Sequence, residues 1–564
     1  MIRRRGSPHR PTPFPVRLAT RFLSGRRAIL SLLATLLLVA CSPLDSGDTG
    51  NALIDTVTQP ALAPAAMAPG HLRTLGPRAV TLDPALVRDV GSGSYVVEIF
   101  AGLVKLDGDL NVIPDLAESW DVSPDGLIYT FQLRTDIRFA DRREITSADV
   151  VFSIERALSP EMASPVARVY LGDIDGASDY AAGGADGVSG VSAPDPRTVR
   201  IVLQRPATSF ISKLTHPVSF VVDRNEVDEF EWFRTPNASG PFELESWAVR
   251  EEIVLVRNDN YHTPALLDRV TLAIVGSGEG LLGYETGSVD IVPIFGRNVD
   301  RFRGSGERFS EDYLAIPEFS LFYIGFNTQV APFDDVHVRR AFVQAIDIEK
   351  INRVTFRGHE ITANGILPTG LPGSDPDREP LPYDPEAARR ELALSKYGSA
   401  ENLPDVTFLI PGSGLLPPQD VEAMLFFLRE SLGVSVRMQA IDFADFLLEV
   451  ENPDHQHQMI TFGWVADYPD PDNFLEFLFL SGSPANATRL ADLRIDALLE
   501  EARIEPDQTR RLERYRQAED NIIEDAVVLP MRFGVDHYLV KPYVEGFAPS
   551  GGLQEWMSTV QIGG

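Results

Sequence analysis

The chain has 564 residues, enough for two or three domains and too many for one ordinary core. Its 44% apolar and 23% charged content is that of a globular protein, and 51 basic against 81 acidic side chains leave a net charge of -30. That charge repels phosphate backbones and excludes nucleic acid as a partner, and the single cysteine, Cys41, excludes an internal disulfide, a Cys-ligated zinc or iron–sulfur site and a Cys-x-x-Cys redox pair.

Residues 1–40 hold eight arginines and no Asp, Glu or Lys; their removal leaves 43 basic against 81 acidic side chains. The arginines precede an apolar run from Ala28 to Val39, too short for a spanning helix, which needs about 20 residues. Basic flank, short apolar run and small residues together read as a secretory signal. Leu38-Val39-Ala40-Cys41 resembles the lipobox of bacterial lipoproteins. The resemblance implies that residues 1–40 are a signal peptide and that acylated Cys41 anchors the exported chain to a lipid bilayer. Residues 41–70, poor in aromatics and rich in Pro, Ala, Gly and Asp, read as a flexible tether.

Beyond the tether no period of 20–50 residues repeats, and the pattern is mixed α/β. Ile128 to Arg134 and Thr198 to Leu203 alternate apolar with polar residues, as half-buried strands do. Thr146-Ser-Ala-Asp149 is a capping box opening a helix through Val150, Ile154 and Leu158. Asp384-Pro385-Glu386 starts another, with an N-cap, a proline at the first helical position and a carboxylate on the positive end of the dipole. Two segments read as strand–helix–strand crossovers. One runs from a strand at Val270–Val275 to a return at Val289–Val292. The other runs from Val406–Ile410 through a helix at 420–432, stopped by Gly433, to a strand at Val434–Met438. Their separation in the chain predicts two sheets in two lobes, with a ligand held between them.

Chemistry is sparse. Gly278-Glu-Gly280-Leu-Leu-Gly283 has the form of a dinucleotide fingerprint, but a lone match is weak, and we read it as a glycine-rich turn within a crossover. His455 and His457 could share one face of a strand and offer two metal donors, although Pro453 to Gln458 reads better as a polar loop. There is no His-Glu-x-x-His, Gly-x-Ser-x-Gly or P-loop, and Asp334-Asp335 reads as a helix start. No catalytic constellation emerges, so no enzyme activity, cofactor or metal is expected.

A set of short motifs then occurs in order: Phe100-Ala-Gly-Leu-Val104, Pro114 to Trp120, Asp125 to Arg134, Ala148 to Phe152, Gly240 to Leu244 and Gly287-Ser-Val-Asp290. Phe326-Asn327, Val338 to Phe342, Ala345-Ile-Asp347, Gly463 to Asp472, Asp496 to Arg503 and Pro542 to Phe547 follow. Together they resemble the family 5 extracellular solute-binding proteins, the oligopeptide- and dipeptide-binding receptors of ABC importers, over residues 70–555. The resemblance implies an α/β bilobal periplasmic-binding-protein clamp, type II-like, with an extra domain inserted in the first lobe. Residues 71–103, 216–315 and 531–564 would form that lobe, 104–215 the insertion and 316–530 the second lobe. It also implies a monomer that captures a short peptide, as an added strand, and delivers it to an ABC permease. Gly463 and Val465 would supply backbone groups, Trp464 would wall a pocket, Asp467 would pair with the ligand's α-ammonium, and Val90 would offer backbone groups from the other lobe. The alternatives are the same clamp holding a nickel or other metal chelate, with His455 and His457 as donors, or haem, and a secreted hydrolase.

Overall fold

The computed structural model describes residues 69–304, 306–412, 417–452, 454–549 and 556–563. The expected signal peptide, Cys41 and nearly all of the expected tether lie outside the described residues. No described helix is long and apolar enough to cross a membrane.

Two mixed sheets dominate. The first has seven strands in the spatial order Tyr313–Pro317, Val535–Val540, Ile291–Pro293, His71–Leu75, Arg269–Ala273, Glu252–Arg257 and Phe242–Ala248. Its crossover is present with a difference. The Arg269–Ala273 and Ile291–Pro293 strands do not touch, because His71–Leu75 lies between them and pairs parallel with both. The connecting segment is the helix Ser277–Thr286, so Gly278, Gly280 and Gly283 belong to the helix itself and not to the turn expected there. A Cβ on Gly280 would come within 2.3 Å of Leu75 Cδ1, which shows how closely this helix packs on the strand.

The second sheet has six strands, in the order Ile361–Thr362, Val528–Phe533, Ser320–Phe326, Met459–Val465, Val406–Pro411 and Val436–Ile441. Its crossover matches expectation. Val406–Pro411 pairs parallel with Val436–Ile441, and the helix Gln419–Leu432 between them turns Val421, Met424 and Leu428 into the core. Gly433 ends that helix at φ 73°, the left-handed conformation a side chain disfavours, and its N–H closes on Arg429 O.

A third, antiparallel sheet contains Ala117–Val122, Ile128–Leu133, Thr198–Val202 and Val191–Asp195. The two alternating segments read from the sequence pair with each other, and Tyr129, Phe131, Val199 and Ile201 are buried between them and the helix Ser147–Leu158. That helix starts on the Thr146/Asp149 capping box. The chain passes between the first and second sheets at 318–319 and again at 534. The crossings are tied together: Glu318 N–H donates to Gly534 O at 3.0 Å and Gly534 N–H to Ser320 Oγ at 3.0 Å.

Candidate functional site

The Met459–Val465 strand pairs antiparallel along its whole length with Ser320–Phe326, from Met459 opposite Phe326 to Val465 opposite Ser320. On its other side the Val406–Pro411 strand pairs only with Met459 and Ile460. The N–H of Ala466 donates to Phe319 O at 2.8 Å, which fixes the phase of the ladder. Alternate residues of an antiparallel strand turn both backbone groups toward the same neighbour. Phe462 and Trp464 therefore face Ser320–Phe326, while Gly463 and Val465 face the side that Val406–Pro411 has left. No turn or loop hydrogen bond takes up those groups among the described residues. Glycine is needed at 463 because a Cβ would lie 2.9 Å from the Phe322 ring, and the exposed position keeps the strand edge open.

Just past the strand, Asp467-Tyr-Pro-Asp-Pro turns into the helix Asp472–Phe479. The first turn of that helix carries Asn473, which is 0% exposed. Its Oδ1 accepts from Trp464 Nε1 at 3.0 Å and from the Asp467 backbone at 3.1 Å, and its Nδ2 donates to Asp467 Oδ2 at 3.5 Å. The Tyr170 hydroxyl donates to the same Oδ2. Tyr170 closes the short helix Ala167–Tyr170 beside the third sheet and stacks on His216 with centroids 3.8 Å apart. Burial pushes the Asp467 carboxyl up to about 6, against the hydrogen bonds from Tyr170 and Asn473 that favour its charge. Burial also drives His216 down to about 3, so the nearby imidazole is neutral. No described Lys, Arg or His forms an ion pair with Asp467. A half-buried carboxylate supplied only with neutral donors is short of a cation.

The other expected residues divide. Trp464 points to the opposite face from Gly463 and Val465 and packs on Phe477 with centroids 4.7 Å apart; its indole serves to hold Asn473, and through it Asp467. Val90 is the first residue of the helix Val90–Ile99 and is 49% exposed, behind the Asp89 cap. Its N–H is one of the first-turn donors without an intrahelical partner, whereas its C=O enters the helix ladder. No hydrogen bond joins Val90 to residues 463–467 among the described residues. His455 is buried with both ring nitrogens unpartnered and is held down to about 4, chiefly by burial. His457 binds Glu449 at 2.9 Å. Among the described residues no three His, Cys, Asp or Glu side chains are grouped to hold a metal ion.

Sequence reasoning passed over Tyr170 and Asn473. The helix-start pattern Asp470-Pro471-Asp472 is a signal for Asn473, but Tyr170 is 297 residues from Asp467 and has none. Behind this pair the third-sheet region and the second lobe share a buried charge network. Arg503 Nη2 pairs with Glu476 Oε2 at 2.7 Å, Lys213 Nζ with Asp173 at 2.7 Å, and Tyr515 donates to Glu476 Oε1 at 2.7 Å. The Arg503 carbonyl accepts from Thr208 N–H at 3.0 Å and from its hydroxyl at 3.1 Å, and Tyr468 enters the core of the third sheet.

Solved periplasmic binding proteins share this fold. The Escherichia coli murein tripeptide binding protein MppA superposes with a TM-score of 0.74 at 26% identity, covering 87% of this chain and 98% of that one. The fold is a bilobal periplasmic-binding-protein clamp with an extra domain in its first lobe. Residues 111–486 match the model of the bacterial extracellular solute-binding proteins, family 5 Middle, and the chain belongs to that family of binding proteins. The periplasmic oligopeptide-binding protein OppA of Salmonella typhimurium is 28% identical over 493 residues, 84% of this chain and 89% of that protein. The probable deoxycholate-binding periplasmic protein YgiS of Escherichia coli is 30% identical over 482 residues, 83% of this chain and 88% of that one.

Proposed function

We propose that this chain is the receptor of an ABC importer, which captures short peptides between its lobes and hands them to a membrane permease. The observation that carries this reading is Asp467, a carboxylate without a cation at the end of an unpaired strand edge. A peptide main chain added along that edge bonds to Gly463 and Val465, and its α-ammonium meets Asp467, with Tyr170 beside it. Main-chain pairing is indifferent to side chains, so many sequences fit one site. Trp464, fixed by Asn473 and Phe477, walls the neighbouring pocket, and the free N–H of Val90 serves from the first lobe. In this reading the expected lobe bounds at 315/316 and 530/531 move to the two crossings, because Tyr313–Pro317 pairs in the first sheet and Val528–Phe533 in the second: 71–103, 216–317 and 534–564 make up the first lobe, 104–215 the insertion and 320–533 the second lobe.

The test is calorimetric titration with trialanine across pH. The peptide must carry its ammonium while Asp467 is ionised. The free carboxyl titrates at about 6 and a peptide α-amine at about 8. Affinity should therefore peak near pH 7 and fall about tenfold by pH 5, because there only about a tenth of Asp467 is charged before ligand arrives. Affinity that is level from pH 7 to 5, or conversion of the peptide, counts against the reading. Export and anchoring through residues 1–40 and Cys41 complete the proposal. Cys41→Ala should move the expressed protein from the detergent-rich to the aqueous phase on Triton X-114 partition; no shift removes the anchor.

A further inference from the structure

Arg532 stands out on the second sheet. It lies on the Val528–Phe533 strand directly opposite Phe322, and Phe322 lies directly opposite Gly463 on the next strand. Directly opposed residues share a sheet face, so Arg532, Phe322 and Gly463 form one row across three strands. The guanidinium carbon is 3.7 Å from the Phe322 ring centroid and 4.3 Å from that of Phe356. Two rings pack against the cation, and the hydrogen-bond donors of a guanidinium lie in its own plane. Those donors are unspent. Nε is buried with no acceptor, and no described oxygen accepts a hydrogen bond from the guanidinium. Glu318, Glu360 and Asp420 act on it through space, but none is in ion-pair contact. Burial pushes the Glu318 and Glu360 carboxyls toward their neutral forms, and Glu360 already accepts from Val535 N–H at 3.2 Å. Every other buried arginine described on this lobe is engaged: Arg339 on two carbonyls, Arg503 on Glu476 and Arg511 on Asp470.

We infer that Arg532 is a carboxylate fork for the bound solute, so that the clamp favours ligands with an acidic group as well as an amine. The inference rests on the peptide reading above. A ligand strand on the free edge of Met459–Val465 lies three strand spacings, about 15 Å, from the backbone of Arg532. An arginine and an acidic ligand side chain, or a ligand C-terminus bent across the Phe322 ring, span that gap together. The missing side chain at Gly463 leaves the path over the ring open. A guanidinium already packed against two rings loses less freedom on accepting a two-pronged carboxylate than a free side chain does.

The experiment uses the mature protein and its Arg532→Met and Arg532→Lys variants, with thermal melting to verify folding. Methionine keeps the contact with both rings, and lysine keeps the charge without the fork. Affinities are measured for trialanine against its C-terminal amide, and for Ala-Glu-Ala amide against Ala-Gln-Ala amide. The parent should favour the acidic member of at least one pair by roughly 10- to 100-fold. The pair that discriminates identifies the source, terminus or side chain. Arg532→Met should reduce that ratio to about one while leaving the neutral member's affinity unchanged, and Arg532→Lys should retain part of it. Equal affinities within both pairs for the parent, or ratios kept in Arg532→Met, or an equal loss for all ligands, overturn the role of Arg532 and leave the peptide reading standing. A parent that binds none of the four peptides overturns both.

Discussion

Asp467→Asn should bind free-amine peptides far more weakly than the parent while treating N-acetylated peptides alike. The carboxylate sits in a half-buried site whose other polar groups, the Tyr170 hydroxyl and the Asn473 amide, are neutral. Removing one partner of such a charge pair strands the ligand's ammonium away from water. The cost is about 2–5 kcal/mol, or roughly 30- to 4,000-fold in Kd. N-acetylation has already removed the ammonium, so the acetylated peptide should change by no more than about threefold. The free protein should not be weakened, since burial already disfavours the charged form of Asp467. Calorimetry with trialanine and acetyl-trialanine decides it. Equal affinity of parent and variant for the free amine would falsify the ammonium role.

Arg503→Met should destabilise the protein by about 3–5 kcal/mol, because it leaves a buried carboxylate without its counter-charge. Arg503 is almost enclosed and gives both Nε and Nη2 to Glu476 Oε2, at 2.8 and 2.7 Å. Asp472 and Asp173 also act on it. Without the guanidinium, Glu476 keeps only the Tyr515 hydroxyl in direct contact and Lys213 at a distance. Urea unfolding at pH 7 measures the loss. The sign of its pH dependence follows from Glu476, whose carboxyl burial already raises. A raised folded-state value means that the ionised form opposes folding. The deficit of Arg503→Met should therefore shrink as pH falls from 7 toward 5 and Glu476 takes up a proton. Adding Glu476→Gln should restore most of the stability even at pH 7. A deficit that persists in the double variant would place the effect in packing and not in charge.

These two sites explain how far the sequence could be read. Elements with a local cause were legible. The Thr146/Asp149 capping box, the Asp384-Pro385 helix start and the stop at Gly433 each depend on a few neighbouring backbone groups. The alternation of 128–133 and 198–202 follows from the two-residue repeat of a strand. One local reading failed: the three glycines at 278–283 resemble a loop, yet they form a helix because Gly280 lets that helix lie against Leu75. Tertiary packing overrode a residue preference of about 1 kcal/mol per glycine.

By itself the sequence determined the kind of molecule: an acidic α/β chain with two crossover units, the ordered motifs of a binding-protein family, and Asp467 as one carboxylate among 81 acids worth singling out. Only the tertiary structure decided what surrounds that carboxylate. Phase along the Met459–Val465 strand depends on its register with Ser320–Phe326, and a one-residue slip would exchange Gly463 for Trp464 at the open edge. Tyr170 reaches Asp467 from 297 residues away, and the rings of Phe322 and Phe356 packed against Arg532 come from two other segments. Local rules fix how a segment folds because they act over one turn or one strand. Which segments meet is set by how whole faces pack, and no short motif records that.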